Sequence, residues 1–332
     1  MRKTWVSTGI LLLCALMLAA CGSTNGAASS NASSGGDASG KTYKVAYIAR
    51  AQSDSFAAWL ANAVKEEAGK YDHIKLDVFD GEANDEKENS LIENAITNKY
   101  DLVIVQPNNG EAQRPYVEKV VQAGIFAITT NARISGIEGA SSVDAQPYEQ
   151  AAVNARAALE QVPQNAKVVV LQGPSGNFHA DERRRSWQEE FFDKRPDVQI
   201  VGEQIANWNK DEAMRYMEDW VQANDKIDAV ISMNDNMAAG AVEVVKDNPK
   251  YKDMFVYGVD GTAEAVLLIK EGKMTSTTLQ NAFDLAEKLL ETGNKLLTGE
   301  EKQIDTDIGN PLINKDNADE YIELLKKAGA IQ

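Results

Sequence analysis

The amino-acid sequence predicts an α/β protein of two doubly wound parallel-sheet lobes, and three observations carry that prediction. From Tyr43 onward, short apolar runs alternate with amphipathic stretches at helical spacing; the rhythm restarts near Lys167; and apolar runs in both halves end abruptly in polar residues. Strand-like runs occupy 44–49, 76–79, 102–106 and 126–130, with helical patterns over 56–67, 85–98 and 116–123 between them. The second half repeats this with strand-like runs at 167–171, 199–204, 229–233 and 255–259, and helical patterns at 181–192, 211–223, 236–246 and 263–270.

Ligands of open parallel sheets bind in the crevice beyond the carboxyl ends of the strands. Two consecutive ends in the second half are polar: Asn234-Asp235-Asn236, inside the stretch from Ala229 to Gly240, and Asp260-Gly261-Thr262. In the first half, Arg50-Ala51-Gln52-Ser53-Asp54 and Asn131-Ala132-Arg133 stand at matching places. Both lobes therefore offer polar groups to one cleft.

A length of 332 residues leaves room for two cores, and 43% hydrophobic with 25% charged residues is ordinary for a globular protein. The formal net charge is −16, and loss of Arg2 and Lys3 with a leader would take it to about −18. Such a surface repels nucleic acid and anionic lipid. Arg2-Lys3, the apolar run 10–20 and the small residues before Cys21 make 1–21 an export signal, with an apolar run too short for a comfortable membrane span. Leu18-Ala19-Ala20-Cys21 resembles the bacterial lipobox, whose cysteine becomes the lipid-modified first residue of the mature chain. The other cysteine, Cys14, lies in the leader, so the mature chain is expected to carry neither an intramolecular disulfide nor a cysteine metal cluster.

The segment 22–41 is rich in Ser, Gly, Ala and Asn and reads as a flexible tether. Within it, Gly35 to Thr42 matches the phosphate-loop spacing, but that motif needs a strand before it and a helix after it. Here a linker precedes and a strand follows, which argues against nucleotide binding.

Lys44-Val45-Ala46-Tyr47-Ile48, Asp101 to Pro107, Asn234 to Ala241 and Gly258-Val259-Asp260-Gly261-Thr262 resemble the ribose-, galactose/glucose- and inositol-binding proteins, the type I periplasmic sugar-binding proteins of ABC transporters. The resemblance runs from about Tyr43 to Leu312. Sugar-responsive repressors share this core but begin with a DNA-binding helix-turn-helix, where this chain begins with a lipoprotein signal. The resemblance implies a three-strand hinge with crossings near 143–145, 280–281 and 307–309. The lobes would then be 42–144 plus 281–308 and 145–280 plus 309–332, closing on a ligand by hinge motion.

By the same resemblance, Asp260, Asn234, Arg183, Trp208 and Gln280 are ligand positions of the second lobe, and Arg50, Asp54, Phe56 and Asn131 those of the first. These types suit a sugar: planar Asp, Asn and Arg groups meet paired hydroxyls, and aromatic rings cover the ring faces. Helix capping is the alternative role for Asp260, and Asp235 is expected to cap or brace its turn. Trp59, Arg133, His179 and Asp181 are further candidates, with core packing the competing role for Trp59. Trp187 and Trp220 fall at core spacing. Asn131-Ala132 stands where ribose binders have Asp-Arg, which leans toward a hexose or cyclitol. The region 161–167 lacks the alternating acids of the calcium loop found in galactose/glucose binders, so neither metal nor cofactor is expected.

The resulting expectation is a monomeric, lipid-anchored extracytoplasmic protein that captures a monosaccharide or polyol and delivers it to an ABC permease. A receptor presenting the same ligand to a membrane sensor is the alternative. A cleft enzyme is disfavoured by the histidine count, His73 and His179 alone, and by the lack of a nucleophile elbow.

Overall fold

The computed structural model describes residues 40–327 and 329–331; the leader, Cys21 and nearly all of the tether lie outside the described residues. The chain first lays down β1 (Tyr43–Ala49), α1 (Ser55–Ala68), β2 (Ile74–Asp80), α2 (Asp85–Thr97), β3 (Leu102–Val105), α3 (Gly110–Gln122), β4 (Phe126–Thr130) and β5 (Ala140–Ala145). It then passes into a second unit of α4 (Pro147–Gln161), β6 (Lys167–Gln172), α5 (Phe178–Glu190), β7 (Gln199–Ile205), α6 (Lys210–Ala223), β8 (Ala229–Ser232), α7 (Asp235–Val245), β9 (Phe255–Asp260), α8 (Ala263–Lys270) and β10 (Ser276–Leu279). It returns through α9 (Ala282–Thr298) and β11 (Asp305–Ile308), and ends with β12 (Leu312–Asn314) and α10 (Ala318–Lys327) in the second unit.

Two six-stranded sheets result, ordered β11-β5-β4-β3-β1-β2 and β12-β10-β9-β8-β6-β7. The first is parallel throughout, and the second is parallel except where β12 runs against β10. Sheets covered on both faces read as continuous apolar runs, which is why Leu102-Val103-Ile104-Val105 and Ala229-Val230-Ile231 are wholly buried. In the first lobe α1 and α9 share a core on one sheet face while α2 and α3 share the other. The second lobe closes around one continuous core containing Trp187, Met217 and Trp220.

Element ends follow local capping. Helix α3 begins six residues before the 116 start expected from the sequence, because Asn109 accepts from the amide of Glu111 at 3.0 Å and the helix carries Pro115 in its interior. Helix α5 begins at Phe178 rather than 181, capped by the Asn177 side chain on Ala180 N at 3.2 Å. Strand β5, Ala-Ser-Ser-Val-Asp-Ala, is fully buried despite its polarity. Its register is pinned from β11, where Asp305 Oδ1 accepts from both Ser142 N, at 2.9 Å, and Ser142 Oγ, at 2.8 Å.

Candidate ligand-binding cleft

The carboxyl ends of both sheets face each other across a cavity of about 260 Å3 of atom-free space, its mouth included. Arg50, Asp54, Phe56 and Asn131 line it from the first lobe, and His179, Arg183, Trp208, Asn234 and Asp260 from the second. Each comes from the last residue of a strand, the loop just past it or the first turns of the following helix. Three of them hold a backbone that L side chains rarely adopt: Asn131 at φ 53°, Trp208 at 61° and Asp260 at 129°. Strain of this kind clusters where a structure fixes side chains for binding.

In the first lobe, Asp54 Oδ1 caps α1 by accepting from Ala57 N at 2.8 Å and pairs with Arg50 Nη2 at 3.0 Å. Its Oδ2 is buried without a hydrogen-bond partner among the described residues. Gln106, at the end of β3, accepts from Arg50 N at 3.2 Å and donates to Asn131 Oδ1 at 2.7 Å, so the group Asn131 has left over is its NH2.

In the second lobe, Asn234 Oδ1 caps α7 through Met237 N at 2.9 Å, likewise leaving its NH2. Asp235 is the brace rather than the cap: it accepts from Thr262 N at 2.8 Å and Thr277 Oγ1 at 2.6 Å. Burial nonetheless pushes its carboxyl up to about 6. A Cβ at position 258 would overlap this carboxylate, which explains Gly258. Thr262 caps α8, so Asp260 is relieved of that role and points its carboxylate at Arg183 Nη2, 3.5 Å away. Burial raises the Asp260 carboxyl well above its ordinary value, and Arg183 offsets part of that.

Arg183 is buried, and its guanidinium is held on every side: Nε and Nη2 donate to Gln150 Oε1 at 3.1 and 2.8 Å, Nη1 to Met233 O at 2.7 Å, and Nη2 to Gln280 Oε1 at 3.0 Å. Trp208 stands beside it, with the guanidinium carbon 5.7 Å from the ring centre. The indole lies so close to residue 173 that only glycine fits there, and Asn236 Nδ2 fixes the loop by donating to Trp208 O at 2.7 Å. Two arginines balance two aspartates. The groups left over are carboxylate acceptors, amide donors and two aromatic faces, an inventory matched to a small neutral molecule with hydroxyls that donate and accept.

Four sequence candidates sit elsewhere. Gln280 is buried beside Arg183 and does not line the cavity; its Oε1 accepts from Gln150 Nε2 at 2.8 Å, while its Nε2 has no hydrogen-bond partner among the described residues. Trp59 lines a neighbouring groove of about 890 Å3 of atom-free space, its mouth included, instead of the cavity, edge-on to Phe56 and Phe283 one turn further along α1 than Phe56. The Arg133 side chain pairs with Asp307 at 2.5 Å instead of filling the cleft. Asp181 is exposed, on the opposite side of α5 from His179 and Arg183. Conversely, Gln106, Gln150 and Asp144 support the lining residues and were not singled out from the sequence. Gln106, closing the apolar run of β3, carried the one available signal.

Paired doubly wound lobes around a small polar cavity define the class, a bilobal solute-binding architecture. The chain belongs to a family described as the periplasmic binding protein domain, whose model matches residues 45–301. It is 32% identical over 268 residues to a D-apiose import binding protein of Paraburkholderia graminis, covering 78% of this chain and 82% of that one. A xylitol-binding protein of Mycolicibacterium smegmatis is 27% identical over 235 residues, 70% of this chain and 67% of that one. Among solved structures, a Bacillus halodurans ABC transporter solute binding protein with bound myo-inositol superposes with TM-score 0.78 at 25% identity, over 86% of this chain and 99% of that one. These similar proteins bind sugars or polyols, and the Bacillus halodurans one is the solute binding protein of an ABC transporter.

Proposed function

We propose that this protein captures a neutral monosaccharide or polyol, a hexose or inositol in preference to ribose, and delivers it to an ABC permease without chemical conversion. The observation that carries this reading is the convergence of nine side chains from two lobes on one cavity with balanced charge and unspent hydroxyl-binding groups. The binding of sugars and polyols by similar proteins supports the same class. The lobes are 42–144 plus 281–308 and 145–280 plus 309–332, hinged where the chain passes between sheets. Cys21, in its lipobox-like setting, anchors the monomer to the outer face of the cell membrane.

The test is a thermal-shift panel of pentoses, hexoses, inositols and linear polyols on the purified protein, with calorimetry on each responder. A ligand at one hundred times its dissociation constant adds about 2.7 kcal/mol of stability. Shifts confined to hexoses or inositols are the expected result. A flat response across the panel overturns the reading, and product formation from any responder replaces it with an enzyme.

A further inference from the structure

His179 and Arg183 stand one turn apart on α5, with His179 Nδ1 3.2 Å from Arg183 Nη2. Nε2 faces the Asp144 carboxylate, which only accepts, so it carries the proton of the neutral imidazole; Nδ1 is left bare toward Arg183 Nη2, whose two N–H bonds are shared with Gln150 and Gln280. The Nε2–H donates to Asp144 Oδ1 at 2.7 Å. Asp144 is fixed in turn, with Oδ2 accepting from Arg133 N at 3.0 Å and Oδ1 from Ala145 N at 2.8 Å. Both side chains are enclosed, His179 at 2% and Asp144 at 0% exposure. Asp144 belongs to β5 of the first sheet, one residue before the chain leaves it, whereas His179 belongs to a helix packed on the second. Their hydrogen bond therefore spans the two lobes.

We propose that Asp144 and His179 form a lobe-spanning positioning pair that sets Arg183 against the bound molecule only while the cleft is closed and the imidazole is neutral. The inference rests on the cleft being a closing solute site. Protonation would place an Nδ1–H against the N–H of Arg183, turning a hydrogen bond into a clash of two donors and two cations. The charged groups facing the ring are Asp144 from β5, Arg133 from the loop after β4 and Arg183 from its own helix. Burial, Arg183 and Arg133 lower the affinity of His179 for a proton, against the opposing pull of Asp144. The closed form thus excludes a proton that an opened, hydrated ring accepts, and closure weakens as pH falls through the range of a free imidazole.

Two measurements decide the matter. The chain has two histidines, so nitrogen-15 histidine spectra of the folded His73→Gln protein report His179 alone. With that protein saturated by whichever of myo-inositol, xylitol, D-ribose and D-allose gives the largest thermal shift, the expected signals are those of an Nε2–H tautomer that stays neutral at a pH where free imidazole is half charged; an Nδ1–H tautomer, or titration like free imidazole in the liganded protein, overturns the proposal. Separately, affinity is measured from pH 7.5 to 5 with whichever of myo-inositol, xylitol, D-ribose and D-allose gives the largest thermal shift. Wild type is expected to lose about thirtyfold over that range, the effect of one proton that binds the open ring at its ordinary value of about 6.5 and is excluded from the closed form. His179→Gln is expected to bind about tenfold more weakly at pH 7.5 but without the pH dependence. Asp144→Ala should match it, with no further loss in the double variant. Additive losses, or a pH profile retained in His179→Gln, overturn the pair. If none of the four compounds binds, the solute-binding reading is at fault and the pair, which rests on it, falls with it; binding with free titration of the ring leaves that reading standing and overturns the pair alone.

Discussion

Asp260→Ala and Asp260→Gly are expected to weaken binding alike while differing in stability. Both remove a carboxylate that is 3% exposed and has Arg183 at 3.5 Å as its charged neighbour. A sugar hydroxyl left unpaired in the closed cleft costs about 1–3 kcal/mol, which is about 5- to 150-fold in Kd. Neither variant is expected to unfold, because burial already disfavours the charge on this carboxyl and Arg183 keeps Gln150, Gln280 and the Met233 carbonyl. The variants separate through the backbone. Residue 260 holds φ at 129°, which costs an L side chain about 1–3 kcal/mol. Glycine escapes that strain but gives back about 0.5–1 kcal/mol through the freedom of the unfolded chain. The glycine variant should therefore exceed the alanine variant by about 1 kcal/mol in ligand-free urea unfolding. Calorimetry with the tightest-binding compound of the panel supplies the affinities. A Kd within twofold of wild type would show that the carboxylate does not face the bound molecule, and equal unfolding midpoints would show that the backbone there is unstrained.

Glu88 is fully buried on α2, with Oε2 accepting from Asn108 N at 3.0 Å, and burial raises its carboxyl to about 8 from 4.5. The folded protein therefore keeps a proton that the unfolded chain releases, and stability declines as pH rises from about 4.5 to 8, by at most about 1.4 kcal/mol per unit. Glu88→Gln should flatten that decline; identical urea-unfolding slopes against pH in the two proteins would refute it. Gly173→Ala inserts a Cβ into the space of the Trp208 indole, so the ring must leave its place beside Arg183. A folded protein with affinity reduced about tenfold is expected by calorimetry, in the range of a lost aromatic face, and unchanged affinity would mean that the ring does not contact the bound molecule.

The parallel runs were legible because buried strands are continuously apolar, and the lining residues because each interrupts such a run at its carboxyl end. Strand β5 was not: its serines and aspartate are buried only because Asp305 and His179, far away in sequence, and Arg133 N, from the loop before the strand, satisfy them. The division of labour between neighbours was equally hidden. Asn234 and Asp235 are both good caps by type, and only the approach of Thr262 and Thr277 assigns the brace to Asp235.

The sequence by itself determined the α/β alternation, the two lobes and the polar strand ends facing one cleft, because periodicity and the termination of apolar runs are local properties. Tertiary structure alone decided which of those polar side chains keep a free group. Gln280 gave its Oε1 to Gln150 and Arg183 and kept its NH2, Arg133 was taken by Asp307, and Asp260 was released from capping because Thr262 took that place. Hydrogen-bonding capacity is finite, and what a side chain has left for a ligand is set by every partner the fold brings to it.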